Sequence, residues 1–106
     1  MKAFEGDIAG IILEPIMFNC GIIKAQVDYL NELVDICRAK DIAVIYDLVK
    51  IGVNISQDHL KDYPSPDIVT LGKALGGGYP IGAVGMTSTF KDLVVDRKVG
   101  MVFVCT

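Results

Sequence analysis

The sequence predicts an α/β fold, part of a mostly parallel sheet with flanking helices, on three observations. Residues 8–13 (Ile-Ala-Gly-Ile-Ile-Leu) and 42–46 (Ile-Ala-Val-Ile-Tyr) are apolar at both alternating positions, as in strands covered on both sides of a parallel sheet. Between them Val27, Leu30, Leu33, Val34 and Cys37 recur at helical spacing, which makes residues 26–40 an amphipathic helix. Each run also meets an acid at its carboxyl end, Glu14 and Asp47, the edge where ligands of open α/β sheets bind. Strand, helix and strand then form a βαβ unit with a right-handed crossover.

In order along the chain, the first strand stops at Glu14-Pro15 because proline cannot continue a central strand, and residues 18–21 (Phe-Asn-Cys-Gly) follow as a loop. The helix carries acids near its start and Arg38 and Lys40 near its end, matching the helix dipole. Further strands are expected at residues 68–71, 83–86 and 101–104, and a second helix at 89–96. Residues 61–66 (Lys-Asp-Tyr-Pro-Ser-Pro) read as a surface connection, and His59 just before them as a solvated loop residue. Three glycines at 76–78 and Pro80 exclude regular structure, and a turn that carries backbone close to a neighbour is expected there.

Of the 106 residues, 52% are hydrophobic, more than one small domain readily hides. The chain is therefore expected to be an internal piece of a larger protein, packed there against other segments or a partner subunit. A net charge of −3 with scattered Lys and Arg argues against nucleic acid. Without an apolar run of about 18 residues or a signal peptide, no membrane role is expected and the cytoplasm is the default compartment. Cys20, Cys37 and Cys105 are widely spaced beside a single histidine, a poor basis for a disulfide framework or a metal site. Cys37, on the apolar helix face, is expected to be a core residue.

Chemistry centres on Lys73, within residues 70–82 (Thr-Leu-Gly-Lys-Ala-Leu-Gly-Gly-Gly-Tyr-Pro-Ile-Gly). A phosphate loop needs its glycines before the lysine and Ser or Thr after it, whereas here the glycines follow and Ala74 comes next. A dinucleotide fingerprint fails as well, since the glycines lead into Pro80 rather than a helix. A confined lysine can instead lose its proton and attack an aldehyde, forming an imine. Asp47 strengthens that reading: pyridoxal phosphate withdraws electrons only while its ring nitrogen is protonated, and a carboxylate beside that nitrogen keeps it so. The bland alternatives are a solvated lysine in a turn and an aspartate that caps one.

These residues resemble the class III aminotransferases, pyridoxal phosphate enzymes with the aspartate aminotransferase type of large domain. The likeness covers nearly the whole chain: Leu13-Glu14-Pro15-Ile16-Met17, the helix beginning near Tyr29-Leu30, Ile45-Tyr46-Asp47-Leu48-Val49-Lys50 with Gly52, and residues 66–78 (Pro-Asp-Ile-Val-Thr-Leu-Gly-Lys-Ala-Leu-Gly-Gly-Gly). The resemblance implies that Lys73 is the imine-forming and proton-moving lysine and that Asp47 pairs with the pyridinium nitrogen. It implies that Val49 lies against one face of the ring, that Glu14 is a nearby acid of the cofactor site, and that Gly76, Gly77 and Gly78 shape the turn. Asn19 stands where many members carry an acid that pairs with a substrate-binding arginine, which is more like the glutamate-1-semialdehyde aminomutase branch and implies a substrate-binding role. Leu48, Ile51, Val53 and Asn54 depart from the usual Glu, Thr, Phe and Arg of the family pattern.

Family members take further phosphate donors from an earlier loop and from a threonine of a neighbouring subunit, and a substrate arginine from a carboxyl-terminal small domain. Neither the phosphate-loop segment nor that domain is recognised in residues 1–106, so little turnover is expected of them alone. The implied parent is a homodimeric enzyme acting on an amino acid or an amino-aldehyde or keto substrate. The rival reading is a non-catalytic homologue that serves as an interaction module or self-associates.

Overall fold

The computed structural model describes residues 6–96, and the strand expected at 101–104 lies outside them. β1 (Gly10–Leu13) leads into a hairpin of β2 (Ile16–Met17) and β3 (Ile23–Lys24), followed by α1 (Val27–Arg38), β4 (Ala43–Asp47), β5 (Ile68–Leu71), β6 (Ala83–Met86) and α2 (Ser88–Asp96). The main sheet has the order β1-β4-β5-β6. β1 and β5 pair parallel with β4, and β6 runs antiparallel to β5.

The crossover from β1 through α1 to β4 is the predicted βαβ unit. Leu30, Val34 and Cys37 of α1 are buried, and the core they help to form contains Val44 and Tyr46 of β4 with Ile16, Ile42, Leu48 and Ile51. α1 ends before Lys40, which the sequence pattern had included. Asp41 then takes φ +55°, a left-handed backbone that aspartate tolerates better than most residues. That turn lets Ile42 N–H reach back to Cys37 O at 2.9 Å and starts β4 under the helix.

Two expectations gain detail from the structure. β1 was expected to be covered on both faces, but Ile11 and Leu13 pack on the core while Ile12 is 63% exposed. Register puts Ile12 beside Ile45, and Ile45 beside Ile68, on the face away from α1, and no described helix covers that face at Ile12. The expected loop at 18–21 is the tip of the β2–β3 hairpin, closed by a 3-10 turn at Phe18–Cys20 and by Gly21 at φ +95°. Two-residue strands carry too little periodicity to be seen in sequence.

The connection from β4 to β5 contains a 3-10 turn at Gln57–His59 but no α-helix. It is tied down more firmly than a plain surface loop. Tyr46 O–H donates to Pro64 O at 2.9 Å, Tyr63 O–H to Ala25 O at 2.8 Å, and Arg38 Nη2 to Ser65 O at 3.1 Å.

Candidate active site

The carboxyl end of β4 delivers Asp47 beside Thr70 of β5, its partner in register. Val49 N–H donates to Asp47 Oδ1 at 3.0 Å, and the Thr70 hydroxyl donates to the same oxygen at 3.3 Å. Leu48 N–H reaches Thr70 O at 3.0 Å and extends the ladder one step past the strand. Oδ1 is thus held from two sides, while Oδ2 receives no hydrogen bond among the described residues. The turn-capping role of Asp47 is real, and it occupies only one of the two oxygens.

Lys73 follows β5 after Gly72 and opens a 3-10 turn at Lys73–Gly76. Its backbone sits at φ +47°, a region that costs a side-chain-bearing residue about 1–3 kcal/mol. A Cβ on Gly72 would lie 3.3 Å from Val49 Cγ1, so the bare glycine lets the valine pack tightly against the lysine turn. Gly77 and Gly78 have φ of +55° and +105°, and a Cβ on either would meet nothing within 4 Å. Their glycines serve the left-handed turn, not the close approach of backbone that the sequence suggested.

Glu14, Asn19, Asp47, Val49, Lys50 and Lys73 line one cavity of about 100 Å³. Every site residue expected from sequence is in that set, contributed by the end of β1, the hairpin tip, the end of β4 and the turn after β5. Lys50 and Thr70 were not singled out. Thr70 gains its role only from strand register, and Lys50 gains its own from a hydrogen bond to Asn19 Oδ1 on a distant hairpin. His59 lies elsewhere, lining an open cavity with Lys24, Asp28 and Tyr63.

Burial perturbs two groups of the core. Burial, and secondarily the Asp67 carboxylate, push the Cys37 thiol up, so it stays protonated and is no nucleophile at neutral pH. Burial also raises the Tyr46 phenol, with a further push from Tyr63 and a partial pull down from Arg38.

A lysine amine, a carboxylate with one oxygen in reserve and an apolar wall thus stand together at the carboxyl edge of a mostly parallel sheet, where ligands of such sheets bind. The family model for class-III aminotransferases matches residues 1–104. The chain belongs to the class-III aminotransferase family. Among its relatives, glutamate-1-semialdehyde 2,1-aminomutase of Methanothermobacter thermautotrophicus is 45% identical over 80 residues, covering 74% of this chain and 19% of that protein. The enzyme of the same name from Sulfurisphaera tokodaii is 39% identical over 98 residues, covering 88% and 23%. This class-III chain thus spans about one fifth of the length of the curated relatives it matches. Among solved structures, N-acetylornithine aminotransferase from Stenotrophomonas maltophilia superposes with a TM-score of 0.73 at 35% identity, covering 87% of this chain and 26% of that one. An omega-transaminase from Sphaerobacter thermophilus gives 0.71 at 31%, covering 82% and 20%. The sheet and its helices are those of the aspartate aminotransferase type of large domain.

Proposed function

We propose that this chain is the lysine-bearing part of the cofactor domain of a pyridoxal phosphate enzyme. That enzyme moves amino groups between molecules or, in the manner its aminomutase-named relatives suggest, within one. The observation that carries the proposal is the shared cavity of Lys73 and Asp47, in which Asp47 keeps Oδ2 unspent. When bound, the cofactor supplies an aldehyde to receive the substrate nitrogen and a ring that withdraws electrons.

The chain's own residues divide the remaining work. Asp47 Oδ2 would accept a ring N–H and hold its proton, while Val49 N–H and the Thr70 hydroxyl orient the carboxylate through Oδ1. Val49 offers an apolar surface to one face of the ring. Lys73 Nζ would hold the cofactor through its aldehyde and, as a free amine, could accept and return a proton beside it. Its turn, with Lys73, Gly77 and Gly78 at positive φ, holds the lysine backbone in one conformation beside Val49. Glu14 stands as a further acid on the cavity wall beside Asn19, which would meet the substrate. The cofactor phosphate and the second ring face fall to other segments and to the second subunit of a homodimer.

One observation favours the rival reading of a non-catalytic homologue. Leu48 and Ile51 stand where the family pattern has Glu and Thr and are 8% and 1% exposed, joining the core as apolar residues.

Borohydride reduction of the full-length protein with pyridoxal phosphate, followed by peptide mapping, separates the two. A stable adduct on Lys73 that Lys73→Ala removes, together with amino transfer in the unmutated protein, is the expected result. No adduct, or one spread over surface lysines, would overturn the proposal.

A further inference from the structure

We infer that Gly72 is a positioning residue for the cofactor: by lacking a side chain it sets how closely Val49 and Lys73 approach each other, and with that the gap open to a flat ring. The inference rests on the cofactor reading above and adds to it a residue that itself touches neither ring nor substrate.

The backbone does not require glycine at this position. Gly72 has φ −173° and ψ −155°, extended values that any residue adopts. Space requires it instead. A Cβ there would lie 3.3 Å from Val49 Cγ1 and 3.8 Å from Val49 Cγ2, and outside its two chain neighbours it would meet no other atom of the described residues within 4 Å. The steric conflict thus involves a single residue, the one proposed to face the ring.

The turn that carries Val49 is pinned on several sides. Val49 N–H donates to Asp47 Oδ1 at 3.0 Å, Leu48 N–H to Thr70 O at 3.0 Å and Gly52 N–H to Leu48 O at 2.7 Å. Gly52 leaves no slack, since a Cβ on it would collide with Leu71 Cδ2. Across the gap, Leu75 N–H holds Gly72 O at 3.1 Å. With both backbones tied, the open side of Val49 is the cavity that it lines with Asp47 and Lys73. A methyl group on residue 72 therefore drives the valine methyls into the space of the ring or parts them from Lys73. In a cavity of about 100 Å³ such a shift is transmitted to a bound ring, because close-packed groups pass strain on.

The test uses the full-length protein and reads cofactor binding. Pyridoxal phosphate is titrated into the cofactor-free form of the unmutated protein, Gly72→Ala, Val49→Ala and the double variant, with absorbance as the signal and circular dichroism as the check on folding. Overpacking by one methyl should raise the dissociation constant of Gly72→Ala about 10-fold and move the absorbance band of the bound cofactor. Val49→Ala removes both atoms that the added methyl would meet. In that background Gly72→Ala is expected to change the dissociation constant by less than about 3-fold, so the two substitutions are not additive. A Gly72→Ala chain that folds only together with Val49→Ala supports the same steric coupling. Additive effects, a Gly72→Ala protein that binds cofactor like the unmutated one, or a Gly72→Ala chain that fails to fold in both backgrounds would overturn the role of Gly72 and leave the proposed function standing. An unmutated protein that takes up no cofactor would overturn both.

Discussion

Two aspartates stand at opposite ends of the same sheet, and their side chains are used differently. Asp67, just before β5, accepts Val44 N–H on Oδ2 at 2.8 Å, while its own N–H donates to Val44 O at 2.9 Å. It staples the start of β5 to β4. Asp47, at the end of β4, also accepts a backbone N–H and takes a second donor, the Thr70 hydroxyl, on the same Oδ1; like Asp67, it keeps one oxygen without a hydrogen bond among the described residues. A carboxylate has room for about four hydrogen bonds, so structural and chemical duty can coexist in one side chain when the donors all approach one oxygen. The difference lies in what surrounds each carboxylate: Lys73, Lys50 and Glu14 line the cavity of Asp47, whereas Arg38, Asp41 and Thr89 line that of Asp67, and residue type alone would not reveal it.

That contrast can be broken from either side. Asp47→Asn keeps an oxygen for Val49 N–H and Thr70 but loses the charge needed by a protonated ring nitrogen. Amino transfer by the full-length protein is expected to fall by about 10²–10³-fold, the scale of losing a partner from a desolvated ion pair. Its unfolding free energy should change by less than about 1 kcal/mol. Asp67→Ala should show the opposite pattern. It orphans the N–H of Val44, which is 1% exposed, and is expected to cost about 1–3 kcal/mol by denaturant titration without abolishing cofactor binding.

The smallest effect concerns pH. The Cys37 thiol is raised in the folded chain, first by burial and then by Asp67. The folded state keeps this proton where the unfolded state has lost it, so the contribution is complete below the ordinary thiol value and fades as pH rises above about 9. Tyr46 is raised by burial and extends the same trend toward higher pH. Denaturation midpoints measured across alkaline pH should therefore fall, and Cys37→Ala should flatten the first part of that fall.

Much of this was legible in sequence because it rests on local pattern. The limits of β5 and β6 came from short apolar runs bounded by turn residues, and α1 came from its apolar stripe. Lys73, Asp47, Glu14 and Val49 stood out through a family motif whose spacing survives. What escaped depends on long-range placement. Thr70 reads as one more β-branched strand residue until register sets it beside Asp47. Lys50 reads as an ordinary charge until the hairpin brings Asn19 to it. The open face at Ile12 escaped for a related reason: a run apolar on both sides announces that a cover exists somewhere, without saying which segment supplies it.

The most direct test of the account is a crystal structure of the full-length protein with pyridoxal phosphate bound. The expected result places the ring nitrogen about 2.7–2.9 Å from Asp47 Oδ2, with Val49 N–H and Thr70 still on Oδ1 and Lys73 Nζ joined to the aldehyde carbon. A ring nitrogen out of reach of Asp47, or a cofactor held away from Lys73, would contradict it.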